Sequence, residues 1–191
     1  MDDWKEIKTQ KDIDELMHTF MGFHDSCIVS ANYRSGLYVD GHSMVFNAKG
    51  SGYELSLLFH GQWEPRCVEL LFGGVRRMHL VGLQDNYLND IFDAHLAFYD
   101  NILPGKVSAD SRVIVWADNY NFKIDNMIAG LEEPADSYVI ATTLRWRIAD
   151  EDTCAKSGSR GGALAAGRSR CKVKLQAPCR SARRTFFLIL V

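Results

Sequence analysis

Apolar side chains recur at Ile13, Leu16, Met17 and Phe20, the spacing of one stripe along a helix. Asp12, Asp14 and Glu15 fall on the wet side, near the positive end of the helix dipole. Thr9 stands three residues before Asp12, the spacing of a cap on a first turn. Gly22 supplies a stop. The pattern predicts a helix from about Lys11 to Met21.

The period then drops to two. Cys27, Val29, Ala31 and Tyr33 alternate with Ser30, Asn32 and Arg34, which predicts a strand with the first set on one face. Residues 37–47, "LYVDGHSMVFN", read as extended with an irregular middle. "GYELSLLFH" is a clean strand whose inward face carries Tyr53, Leu55, Leu57 and Phe59. "RCVELLFGGV" and "RRMHLVGL" are two more, joined around Gly73 and Gly74, where a tight turn can take positive φ. Residues 86–101 fit a helix through Leu88, Ile91, Phe92, His95, Leu96 and Tyr99, or a strand through Phe92, Ala94, Leu96 and Phe98. The neighbouring strands and the turn signal at Asn101 select a strand from about Ile91. "RVIVWADNYNF" is β-rich. "SYVIATTLRWRI" places Tyr138, Ile140, Thr142, Leu144 and Trp146 on one face, Arg145 and Arg147 on the other. The expected fold class is α+β. One N-terminal amphipathic helix accompanies roughly seven to eight strands in a mainly antiparallel meander, a curved sheet or sandwich.

Length and charge change this picture at one end. The 191 residues, 47% hydrophobic, suit one domain with a real core. Residues 1–152 carry 13 Lys and Arg against 24 Asp and Glu, a net −11. Residues 153–191 carry the other 9 basic residues and no acid. We therefore expect a single α+β domain over 1–150 and a basic, low-order tail over 151–191. Its composition fits a shifted or fused reading frame better than a nucleic-acid arm. The acidic body disfavours nucleic acid and favours a basic protein or a cation. No apolar run approaches the ~20 residues of a membrane span, and the polar start has no signal-peptide core. The expectation is a cytoplasmic protein, with Cys27 and Cys67 as reduced core residues. Cys154, Cys171 and Cys179 match no paired zinc spacing.

Chemistry is concentrated in few places. His24 and Asp25 adjoin at the helix-to-strand corner. They read either as an imidazole oriented by a carboxylate, or as a corner in which Asp25 accepts backbone amides. Asp93 and His95 share a face if their segment is a strand, a metal or proton-transfer arrangement. No nucleophile elbow, phosphate loop or dinucleotide glycine pattern is present, and no cofactor is called for. Trp116 beside Asp118, and Trp146 beside Arg145, set an aromatic next to a charge at a strand end, which suits a protein-binding surface.

The stretch "GFHDSCI", after an amphipathic helix and opening a strand, resembles small bacterial β-rich proteins of unassigned function. Some of these are grouped with immunity proteins of polymorphic toxin systems. The shared signature is Phe23, His24, Asp25, the small Ser26 and the aliphatic Ile28. The later "WAD" and "LRWR" are similar too, so the likeness runs loosely over 10–148. It implies a non-catalytic binding protein whose partner is another protein, a basic toxin domain. It carries over no catalytic residue. The competing expectation is a small metal-dependent or acid/base enzyme using His24 and Asp25, with Asp118 as a further carboxylate.

Overall fold

The computed structural model describes residues 3–45, 53–82, 90–102, 112–124 and 136–154. Cys171, Cys179 and all of 155–191 lie outside the described residues.

β1 (Lys5–Ile7) leads into α1 (Gln10–Thr19). The Thr9 hydroxyl accepts from the Asp12 amide while the Asp12 carboxylate accepts from the Thr9 amide, so two amides at the open helix end find partners. Ile13, Leu16 and Phe20 are buried and Met17 packs beside them. The helix ends earlier than its apolar stripe, because Met21–Phe23 tighten into a 3-10 turn.

Strands follow: β2 (Ser26–Arg34), β3 (Tyr38–Asp40), β4 (Ser43–Val45), β5 (Glu54–Gly61), β6 (Cys67–Gly73), β7 (Arg77–His79), β8 (His95–Asp100), β9 (Arg112–Ala117), β10 (Tyr138–Ala141) and β11 (Thr143–Ile148). The first sheet runs β1-β11-β6-β5-β2, the second β7-β10-β9-β8, and β3 pairs with β4 as a separate hairpin. Each paired strand is antiparallel to its neighbour. With one N-terminal helix, the class is α+β and mainly antiparallel. Four of the eleven strands among the described residues have only three residues, which leaves seven longer ones.

Sequential pairing holds within β3-β4, within β5-β6 and within β8-β9-β10, and the chain passes between the two larger sheets at two places. One is Gly73–Gly74. Gly74 has φ +61, and a Cβ there would run into the Thr142 hydroxyl. The other is Thr142 itself, whose hydroxyl donates to the Gly73 carbonyl at 3.0 Å. The expected single face from Tyr138 to Trp146 is split there. Val139, Ala141, Leu144 and Trp146 line the main core, while Tyr138 and Ile140 face the opposite side of the second sheet.

That main core lies between the sheets. Leu55, Leu57 and Phe59 of β5, and Val68, Leu70 and Phe72 of β6, meet Ile114 and Trp116 of β9 and the buried side of α1. β9 and β10 are buried on both faces, since Val113, Val115 and Ala117 join Phe122, Ile124, Tyr138 and Ile140 in a second cluster. In β2 a bulge between Ile28 and Ser30 shifts the register. Ala31 and Tyr33 therefore oppose Leu57 and Leu55, while Cys27 opposes His60 and Val29 joins the outer face. The predicted common face of these four residues does not form, because a bulge reverses the alternation beyond it.

The cysteine expectation is also corrected. Cys27 is exposed, and Cys67 is bonded to Cys154 across 87 residues of chain. Their sulfurs are packed with Leu58, Val29 and Ala149 on the outer face of the first sheet. Cys154, the last of the described residues, is thereby packed against the first sheet.

Candidate functional site

The corner between α1 and β2 is built around Phe23. Its ring is fully buried, edge-on to Phe20, Phe59 and Trp116 at centroid distances of 5.0, 4.9 and 6.2 Å. Pulling this side chain inward straight after a helix turns the backbone left-handed. Met21, Gly22, Phe23 and Asp25 have φ of +50, +66, +66 and +54. Each left-handed non-glycine residue costs about 1–2 kcal/mol. Burying one phenylalanine contributes about 1.5–3 kcal/mol, which offsets the cost at Phe23. Met21 has no such compensation, since its side chain is 56% exposed.

Neighbouring segments clamp this backbone. Ser26 Oγ donates to the Phe23 carbonyl at 2.6 Å, and the Ile91 amide donates to the Ser26 carbonyl at 2.8 Å. The Ala94 amide reaches the Gly22 carbonyl at 2.9 Å, and the Gln62 amide reaches the Asp25 carbonyl at 3.1 Å. Gly22 is required twice over: its φ is +66, and a Cβ would stand 2.9 Å from Asp93 Oδ1.

On this base His24 Nδ1 lies 3.1 Å from Asp25 Oδ2. Trp63, in the β5–β6 turn, donates from Nε1 to the same oxygen at 3.4 Å. Asp25 Oδ1 has no hydrogen-bond partner among the described residues. Phe92 stands edge-on to the His24 ring at 6.5 Å. Trp63 is 54% exposed and Phe92 65% exposed. The corner therefore presents a held carboxylate and an imidazole among three exposed apolar side chains.

The other sequence candidates lie elsewhere. Trp116 is 0% and Trp146 1% exposed, so neither indole can serve as the surface aromatic expected of it. Both belong to the main core, where an aromatic at an inward strand position buries most area. Trp116 Nε1 finds no hydrogen-bond partner among the described residues.

Asp118 follows β9, two residues on from Trp116. Its Oδ2 accepts from the Ser137 amide at 3.0 Å, and its Oδ1 is buried without a partner among the described residues. Burial pushes its carboxyl up from the ordinary carboxylate value, and nearby Asp136 adds to this; the hydrogen bonds from Ser137 oppose it. No contact joins Asp118 to His24 or Asp25 among the described residues.

Arg145 is exposed, its guanidinium 5.9 Å from the Trp4 ring, while Arg147 lies 4.5 Å from that ring and pairs with Glu69 at 2.7 Å. Trp4, Lys5, Trp146, Arg147 and Ile148 line a cavity of about 470 Å³ at the β1 edge. Both of its cations are already paired, Lys5 with Glu15 and Arg147 with Glu69.

Asp93 and His95 do not share a strand face, because β8 starts at His95. Asp93 turns its carboxylate to Gly22. His95 hydrogen-bonds the Tyr99 hydroxyl at 2.9 Å, and burial lowers its pKa. Among the described residues no group of three His, Cys, Asp or Glu side chains is placed to hold a metal ion.

No family model, curated protein or solved structure matches the chain. Sequence reasoning singled out His24 and Asp25 but missed Met21, Trp63 and Phe92. One signal was available: Trp63 sits in "GQWEPR", a polar turn between two strong strand patterns, where an aromatic is held out rather than in.

Proposed function

We propose that the chain is a non-catalytic protein-binding domain and that the α1–β2 corner is its contact surface. The observation that carries this is the exposure of Met21, Trp63 and Phe92 at one corner whose backbone is left-handed at three non-glycine residues. Backbone strain of this kind collects at functional positions. Exposed aromatics around a fixed polar group are the composition of an interface hot spot. The net −11 over residues 1–152 would steer a basic partner to the domain and speed its association. A basic toxin domain neutralised in the cytoplasm, the immunity-type role, fits that chemistry. In such a reducing compartment the Cys67–Cys154 pair would be a dithiol, and the C-terminal turn would keep its packing with Leu58, Val29 and Ala149 and the Ala149 amide bond to the Cys67 carbonyl. Among the described residues no helix is long and apolar enough to cross a membrane.

The test is protection. Cells expressing a basic toxin domain, sought among the neighbouring genes, should survive when the chain is co-expressed. They should lose that protection with Trp63→Ala plus Phe92→Ala, at unchanged soluble yield. Protection by the double variant equal to wild type would remove the corner from the contact.

One observation favours a second reading. The 3.1 Å contact between His24 Nδ1 and Asp25 Oδ2 is also the arrangement of an imidazole oriented as a general base. A zinc- or manganese-induced rise in melting temperature that Asp25→Asn and His24→Ala both abolish would support that metal-dependent enzyme over a binding domain.

A further inference from the structure

We infer that Asp25 is the receptor for an arginine side chain of the protein partner, with Trp63 and Phe92 as the surfaces that flank its guanidinium. This rests on the corner being the contact surface and specifies what it recognises.

The carboxylate is oriented before any ligand arrives. Oδ2 is held from two sides, by Trp63 Nε1 at 3.4 Å and His24 Nδ1 at 3.1 Å, which leaves Oδ1 to accept from outside. A guanidinium is planar, donates in a fork and is weakly hydrated, so it can hydrogen-bond a carboxylate while stacking on an aromatic face. A lysine ammonium is a compact, strongly hydrated charge and gains less from flanking rings. Trp63, which hydrogen-bonds the carboxylate, and Phe92, edge-on to the adjoining His24 ring, are each more than half exposed and open to such stacking. The local charge has the right sign. Asp93 adds a second exposed carboxylate at Gly22, and Arg66, the cation of the Trp63 turn, is already paired with Glu64 at 3.0 Å. An acidic ligand would meet repulsion here, whereas an arginine completes a charge-assisted hydrogen bond.

The experiment titrates the full chain with a blocked Gly-Arg-Gly peptide and with its lysine and citrulline counterparts, read by amide shifts in 15N-labelled protein. Citrulline keeps the planar shape without the charge. The arginine peptide should bind about tenfold more tightly than the lysine peptide, a difference typical of one good charged hydrogen bond, and citrulline should not bind. Asp25→Asn, which tolerates the left-handed backbone, should weaken the arginine peptide by about tenfold or more with an unchanged melting curve. Equal affinity for arginine and lysine, or full affinity in Asp25→Asn, overturns the assignment. The two levels separate cleanly. Toxin protection lost in the Trp63 and Phe92 variants but kept in Asp25→Asn would sink the arginine receptor alone. Protection unaffected by all three changes would sink the contact surface itself.

Discussion

Replacing Asp25 in three ways separates what its backbone costs from what its carboxylate contributes. Asp25 has φ +54 and partners at 3.1 and 3.4 Å, both part-exposed. Alanine in that conformation carries about 1–2 kcal/mol of left-handed strain without the local hydrogen bonding that lets aspartate tolerate it. It also forfeits two solvent-exposed contacts, worth together under about 1 kcal/mol. Asp25→Ala should therefore cost about 1–3 kcal/mol, a fall of about 2–12 °C in melting temperature for a domain of this size. Asp25→Gly removes the strain. It loses the same contacts and carries the extra unfolded-state entropy of glycine, about 0.4–1 kcal/mol, so it should melt within about 2 °C of wild type. Asp25→Asn should also stay close. Thermal melting followed by circular dichroism reads all three. If glycine were as damaging as alanine, the carboxylate contacts and not the backbone would dominate, and the strained-corner reasoning would be refuted.

Leu57→Ala, at a fully buried position of β5, should cost about 2–5 kcal/mol in urea unfolding; a loss under about 1 kcal/mol would mean that the inner face of the first sheet is misassigned. Cys154→Ser opens a loop closed across 87 residues, for which chain entropy gives about 4–5 kcal/mol and typical measurements about 2–4. The melting temperature should fall in oxidised protein and stop responding to reductant, and truncation after Asp152 should do the same. A reductant response that survives the substitution would place the bond elsewhere. Asp118 is raised by burial, so its contribution is fully present below the ordinary value of 3.8 and is lost as pH rises through the folded value. Asp118→Asn has no such loss, so its stability relative to wild type should improve with rising pH across that window. A gap independent of pH would argue that Asp118 is solvated.

Elements that bury one face with an uninterrupted period were legible from sequence. Thr9, Asp12 and the Ile13–Phe20 stripe located α1, and Leu55, Leu57 and Phe59 gave the inward face of β5. Alternation failed where the chain changes partner without changing composition. Nothing in "YVIATTLRW" marks Thr142 as the point where the strand leaves one sheet for the other. Nor does the run from Cys27 to Tyr33 reveal a bulge, which is set by pairing with β5. Trp116 and Trp146 looked like surface aromatics beside charges because period two does not say which face is wet when both are apolar or mixed. The Cys67–Cys154 bond and the meeting of Trp63 with Asp25, 38 residues apart, are tertiary facts. His24 and Asp25 were visible as a pair, while the rings that make their corner a surface arrive from the β5–β6 turn and the segment before β8.

The contact surface can be mapped directly by titrating 15N-labelled chain with any toxin domain whose killing it suppresses in the co-expression test and following every amide resonance. The expected result is that the largest shifts fall in residues 21–26, 62–64 and 91–94, with little change around Trp4 and Arg145. Largest shifts at 4–8 and 145–148, or in the exposed β3–β4 hairpin at 37–45, would contradict the assignment of the α1–β2 corner as the recognition surface.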